Sequence, residues 1–230
     1  MFRYHVPQDV FASGIPACVM TLFENISYAV LDKLVSFAGT PVQAGLGVAK
    51  KINMLSHCMV RGIAQGALPL IAYNYASMNH KRMRSAVLLA NVMAIVTALA
   101  TTALYIIFAP SLVSVFIPTA SVSAHFGAHF LRIFTIGAPF SACAYTFISF
   151  FQAVGRGKTS FLLAILRKGV VDIPLMLLFS HISTDLIVAA TPIADMICCA
   201  VSVVCFLMFL RQLMPRNGAA VYAPDPGASL

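Results

Sequence analysis

Eleven ionisable side chains of this chain fall inside long apolar stretches: Glu24, Asp32, Lys33, Lys50, Lys51, Arg61, Arg132, Arg167, Lys168, Asp172 and Asp195. A charge near a bilayer centre costs about 2.5–3.5 kcal/mol on insertion scales, so such residues face a bundle interior or a water-filled cavity. The chemistry open to them is proton exchange, cation binding and ion pairing. Glu24 is the best candidate for ion coupling. No basic residue stands three or four positions from it, and Asn25 follows it. Desolvation penalises the charged form of a carboxylate without a partner. Glu24 could therefore exchange a proton or take up a cation.

Depth sorts the rest, at a rise of about 1.5 Å per helical residue. Glu24 and Arg132 both lie roughly 15–20 Å into their spans, which makes Arg132 a possible long-range partner and cavity residue. Asp32 and Lys51 lie about 8–10 Å from the ends of neighbouring antiparallel spans and are expected to form a structural or interfacial pair. Lys168 and Asp172 stand i, i+4 on one face, a common intrahelical pair. Asp172 and Asp195 fall at similar depth on adjacent spans. Polar glue between helices and a protonatable cavity lining are both open for them. Asn25 and Tyr145 complete the expected lining. Phe23, Phe140, Phe147, Phe150, Phe151, Met54 and Met59 could form a soft apolar wall for flat cations, though ordinary packing is the simpler role for any one of them.

The elements that must position these groups follow from composition. Of 230 residues, 60% are hydrophobic and only 10% charged, with a mean hydropathy of +0.90. Soluble domains carry about 25% charged residues, so a water-facing globular enzyme and a disordered chain are excluded. Barrel strands alternate apolar and polar positions, which the continuous apolar runs here do not. From Ser85 to Leu131 there is no Lys, Arg, Asp or Glu. A crossing helix takes about 20 residues, so that gap holds more than one span.

Turn residues and charges divide the chain into six spans, roughly residues 10–37, 44–73, 85–117, 122–152, 159–179 and 187–210. The fold class expected is all-α, a polytopic six-helix bundle over residues 10–212, with a short segment before it (1–9) and a disordered tail after it (213–230). Residues 1–9 lack the basic, then apolar, then small pattern of a cleaved leader. Pro16, Pro69, Pro110, Pro139, Pro174 and Pro192 are expected to kink their helices.

The net charge is +8, from 15 Lys and Arg against 7 Asp and Glu. Arg3, Lys81, Arg82, Arg84, Arg156, Lys158, Arg211 and Arg216 all fall on one side of the six-span topology. The loops of the other side carry Asp185 alone. The bias places both termini in the cytoplasm of a multi-pass cell-membrane protein, with external loops near residues 39–42, 118–121 and 181–185. No basic tract is interleaved with aromatics, so nucleic acid is not an expected partner. The six cysteines sit in apolar stretches without a CxxC pair and are expected to act as small hydrophobes. No HExxH or Gly-x-Ser-x-Gly motif is present. His57, His125 and His129 lack a deep acidic partner at metal spacing. Neither an enzyme nor a cofactor is expected.

Four stretches resemble one known family. Gly62-Ile63-Ala64-Gln65-Gly66, then Pro69-Leu70-Ile71-Ala72-Tyr73-Asn74-Tyr75 and Lys81-Arg82, is similar to the second helix and following loop of a repeat in the MATE (multidrug and toxic-compound extrusion) transporters. So are Leu131-Arg132-Ile133, Gly137-Ala138-Pro139-Phe140 and the run from Phe150 to Lys158, then Leu166-Arg167 with Ile173-Pro174-Leu175, and finally Pro192-Ile193-Ala194-Asp195. The resemblance covers residues 14–210 and implies efflux of small amphipathic cations in exchange for protons or sodium. It implies two six-helix bundles, of which this chain is similar to the second only. Glu24, in Leu22-Phe23-Glu24-Asn25, is similar to an acid that some members use for cation coupling. Those members also carry an acid in the helix matching residues 122–152, and here there is none.

The expected function is therefore multidrug efflux by cation antiport, as a half or truncated transporter that needs the missing first bundle or a second copy of itself. The alternatives are a lipid-linked-oligosaccharide flippase of the same superfamily, which should have a more basic cavity, and a non-transporting membrane assembly subunit, whose buried charges should all be paired.

Overall fold

Proline and glycine decide where this apolar chain breaks. The computed structural model describes residues 6–118 and 121–213. They form α1 (Val6–Ser36), α2 (Thr40–Gly66), α3 (Leu68–Ala76), α4 (His80–Ser114), α5 (Val122–Ile136), α6 (Ala138–Ala153), α7 (Gly157–Ile165), a π-helical segment (Leu166–Asp172), α8 (Ile173–Phe179) and α9 (Thr184–Leu213). No strand occurs among the described residues. Among the described residues the first helix is already present at Val6, and the expected tail from Met214 lies outside the described residues.

Three of the six spans are single helices (α1, α4, α9) and three are composite (α2–α3, α5–α6, α7–π–α8). Pro69, Pro139 and Pro174 stand in the first turns of α3, α6 and α8, where the missing N–H is not needed. At Gly137 the α5–α6 pair bends by 47°. Before Pro174 no N–H is available to the carbonyl four residues back, and the chain widens into π pitch. Pro110 and Pro192 each lie inside a continuous helix. α4 and α9 are long and apolar enough to cross a membrane alone, and the bent α5–α6 pair qualifies as a third span. The other three spans carry most of the embedded charges. The whole is an all-α, six-span membrane bundle.

The interior has three levels. One apolar core joins Met20, Val60, Met83, Val87, Phe147, Phe150, Phe151, Phe206 and Phe209. The other joins Leu31, Leu46, Ala49, Tyr105, Phe130, Leu131, Phe134, Met176 and Val188. Between them, at mid-height, the buried residues are polar: Glu24, Ser27, His57, Thr135, Ser141, Arg167, Lys168, Asp172, Thr191 and Asp195. The central element is α6, buried at every position from Ser141 to Phe151. A helix covered all round belongs in a core, and this one carries Tyr145 into the polar belt.

Close helix approach sets the frame around the belt. A Cβ at Gly45 would stand 2.6 Å from the Ser123 carbonyl oxygen, so α2 and α5 cross almost backbone to backbone, with Gly127 facing Gly45. A Cβ at Gly137 would stand 2.8 Å from the Cα of Pro192. Small residues permit such contact where no hydrophobic effect drives helices together. Lys81, Arg82, Arg84, Arg156, Lys158 and Arg211 gather at the α3 end of the bundle, where Arg156 donates to Gln212 at 3.2 Å.

Candidate functional site

The belt is built from ion pairs, and each closes within one helical hairpin. On the α1–α2 hairpin, Arg61 Nη2 donates to Glu24 Oε2. Nearer the turn, Lys50 pairs with Asp32. On the last hairpin, Arg167 Nε donates to Asp195 Oδ1 at 2.7 Å, and Lys168 Nζ to Asp172 Oδ2 at 2.9 Å. Ser27 of α1 donates to the same Asp172 oxygen at 2.7 Å.

Tyr145 connects the two hairpins. Its hydroxyl donates to Glu24 Oε1 at 2.8 Å and accepts from Arg61 Nη2 at 2.8 Å. The Arg61 and Arg167 guanidinium carbons lie 5.1 and 4.2 Å from its ring centroid. Arg167 Nη2 also donates to Ser141 Oγ at 2.7 Å, and Ser141 meets His57 Nδ1 at 3.4 Å. Tyr28 lies between Lys50 and Lys168, at 5.7 and 5.6 Å. Around Tyr145 and Tyr28 the three belt acids Glu24, Asp172 and Asp195 are matched by Arg61, Lys168 and Arg167. Charge is balanced, as a low-dielectric site demands. Arg61 Nε, Arg167 Nη1 and Asp172 Oδ1 are buried without a hydrogen-bond partner.

Local helix geometry explains these positions. In the π segment Arg167, Lys168 and Asp172 are all buried, so two adjacent bases and an acid enter one interior. The wider pitch brings Gly169 against the Phe23 ring, where a Cβ would stand 3.0 Å from two ring carbons. This contact holds the segment beside Glu24's helix.

Several expectations change. Asp32 pairs with Lys50, not Lys51. Neighbours on a helix point about 100° apart, and Lys51 falls on the exposed side of α2. Arg132 does not meet Glu24. It is exposed, and its Nε donates to the Ile106 carbonyl of α4 at 3.4 Å, because α5 turns Phe130, Leu131 and Phe134 inward instead. Asn25 is exposed beside Glu24 and donates to the Thr21 carbonyl at 2.8 Å. Asp172 and Asp195 do not share a site; each has its own base. The Lys168–Asp172 pair forms at the expected spacing. Phe147, Phe150 and Phe151 are buried in the apolar core, while Met54 and Met59 are exposed.

Sequence spacing missed Arg167, the partner of Asp195, and Arg61, the partner of Glu24. The signal for Arg61 lies in hairpin register: from Asp32 to Glu24 the chain climbs roughly two turns of α1, and from Lys50 to Arg61 roughly three of α2. No group of three or more His, Cys, Asp or Glu suited to a metal occurs among the described residues.

The MatE family profile matches residues 16–178. The multidrug export protein MepA of Staphylococcus saprophyticus is 26% identical over 214 residues, which is 92% of this chain and 46% of that protein. MepA of Staphylococcus haemolyticus is 26% identical over 178 residues, 76% of this chain and 38% of its own length. Among solved structures, an outward-facing multidrug resistance MATE family transporter of the MOP superfamily superposes with a TM-score of 0.85 at 23% identity, over 93% of this chain and 48% of that one. A MOP superfamily transporter from Pyrococcus furiosus, described by the reverse polarity of its binding pocket, gives 0.85 at 21% identity over the same shares. The chain spans about half the length of the relatives it matches.

Proposed function

The chain belongs to the MATE family, and from that premise we propose that it is one six-helix lobe of a multidrug efflux transporter that exchanges amphipathic cations for protons or sodium. The observation that carries this reading is Glu24, a carboxylate in the mid-bundle belt, hydrogen-bonded to Tyr145 and held by a base that is not fully buried. A carboxylate beside an aromatic ring is the arrangement that binds an organic cation, by charge and by the ring face. Glu24 is the ion-coupling residue in this reading. Both termini face the cytoplasm, which the basic cluster at one end of the bundle supports. Asn25 and Arg132, exposed on the single lobe, are cavity residues that a first-bundle polypeptide or a second copy would cover.

The test is reconstitution of the purified chain with dye efflux driven by an imposed proton or sodium gradient. Efflux that is lost in Glu24→Gln, with insertion intact, supports the reading. Efflux unchanged in that variant overturns it.

One observation favours a second reading, the non-transporting assembly subunit. Glu24, Asp32, Asp172 and Asp195 all have basic partners. A subunit of that kind shows no gradient-driven flux under any pairing with a second lobe. The flippase reading asks for an excess of base, and the belt holds as many acids as bases.

A further inference from the structure

We propose that Arg61 is a resident cation: its guanidinium occupies the Glu24–Tyr145 site and is displaced when a substrate bearing a flat guanidinium or amidinium group enters. This rests on the antiport reading for its biological use, and on the geometry alone for the binding site.

Two guanidinium groups adjoin Tyr145, and they differ. Arg167 is locked: its side chain is 1% exposed and is held by Asp195 and Ser141. Arg61 is 29% exposed and is held through Nη2 alone, by Glu24 and Tyr145. It also has somewhere to go. Gly62 has no heavy atom within 4 Å of where its Cβ would be, and Cys58 and Gln65, one turn to either side on α2, are exposed. On the face that lines the water-filled path between lobes in the antiport reading, a long basic side chain can carry its head group into that path while its stem stays on the apolar surface.

The contacts Arg61 makes define the ligand. A planar cation donates to Glu24 Oε2 and to the Tyr145 hydroxyl while its carbon stands 5.1 Å from the phenol ring centroid. A free guanidinium or amidinium reproduces all three contacts. A spherical sodium ion or a quaternary ammonium lacks the N–H donors. Charge balance supplies the coupling. The belt holds three acids and three bases, so an entering monovalent cation leaves one charge uncompensated unless a resident cation departs. Displacing Arg61 keeps the count level, whereas adding a cation beside it carries the buried-charge penalty.

The consequence is a hidden affinity. Alternative states of a protein are commonly populated at about 0.1–10%, and apparent affinity falls by the fraction of molecules in the competent state. Removing Arg61 should therefore tighten binding of a guanidinium probe by about tenfold or more.

The experiment uses the full chain in lipid nanodiscs, with ethylguanidinium as the probe. Binding is read from ligand-dependent thermal stabilisation, using a thiol-reactive dye that reports exposure of the buried Cys143 and Cys198. The expected result is Kd in Arg61→Ala at least about tenfold below wild type, with the gain abolished in Glu24→Gln/Arg61→Ala and absent with tetramethylammonium. Equal affinity in wild type and Arg61→Ala overturns the proposal, as does a gain that survives loss of Glu24. If Arg61→Ala does not fold, Arg61→Lys serves. Its ammonium still holds Glu24 but cannot stack as a plane, so ethylguanidinium should bind tighter than in wild type, and equal binding overturns the proposal. No gradient is involved, so the outcomes separate. Loss of efflux with this binding pattern retained counts against the antiport reading alone. Efflux with the pattern absent counts against the resident cation alone.

Discussion

Asp195→Leu should be among the most damaging single substitutions in this chain, and its cost should come from the partner left behind. Arg167 and Asp195 are 1% and 3% exposed at their side chains and share a 2.7 Å hydrogen bond. Removing one member of a buried pair costs about 3–5 kcal/mol, because the remaining charge is uncompensated. Arg167 keeps Ser141 and Tyr145 as neighbours, so the lower half of that range, about 3 kcal/mol, is expected. Replacing both members with apolar side chains of similar volume, Arg167→Met with Asp195→Leu, removes the stranded charge and should recover most of the loss. The cycle then gives a coupling of about 2 kcal/mol or more. The Asp32–Lys50 pair is the control. Asp32 is 40% exposed, and pairs of that kind contribute about 0–1 kcal/mol, so Asp32→Leu should cost under about 1 kcal/mol. Reversible unfolding in mixed micelles, with Asp195→Leu, Arg167→Met, their double variant and Asp32→Leu run in parallel, measures both numbers. If Asp195→Leu costs no more than Asp32→Leu, or if the double variant is as unstable as the single, burial is not what sets the value of these pairs.

Gly45→Leu should force α2 and α5 apart, since even a Cβ would meet the Ser123 carbonyl at 2.6 Å; a loss above about 2 kcal/mol is expected, and an unchanged melting midpoint would contradict the close crossing. Phe150→Ala removes a ring packed edge-on against Phe151, Phe206 and Phe209 and should cost about 3–5 kcal/mol in the same assay. In a cysteine-free background, Lys158→Cys should be labelled by an impermeant thiol reagent from the cytoplasmic side and Ser183→Cys from outside; the opposite pattern reverses the orientation. Efflux should vanish as the protein-to-lipid ratio falls until only monomers remain by single-molecule bleaching, because one lobe gives a midplane site no second wall; transport by monomers would overturn the half-transporter reading.

Span number and the burial of Glu24 were legible in the sequence because both rest on one-dimensional quantities, apolar run length and depth. Lys168 and Asp172 were legible for the same reason, since their spacing is local. Pairing between helices was not. Depth alone made Arg132 a partner for Glu24, but it says nothing about which way a side chain points, and α5 turns Arg132 outward. Choosing Lys51 over Lys50 was a rotation of about 100° on α2, which no count of residues from a helix end resolves. Arg61 stayed hidden because its register with Glu24 depends on the relative slide of α1 and α2, a tertiary quantity. The π segment was equally hidden. Pro174 announces a break, but the choice between a kink and a wider pitch depends on what Gly169 packs against.

The confinement of the belt's ion pairs to single hairpins bears on how the chain enters the bilayer. Spans are delivered in order as the polypeptide is made, and an isolated α1 carries Glu24 and Asp32 into hydrocarbon with their bases not yet synthesised. Once α2 follows, Arg61 pairs with Glu24 and Lys50 with Asp32, without help from later spans. The last hairpin does the same when α9 brings Asp195 to Arg167. The middle hairpin, α4 with α5–α6, carries Arg132 alone among the embedded charges, and α4 is long and apolar enough to cross by itself. The belt acids Glu24 and Asp195 thus each find a base within their own hairpin, and Tyr145 joins the first hairpin to the last. In an insertion assay the α1–α2 hairpin should be retained better than α1 alone, and Arg61→Ala should reduce that advantage.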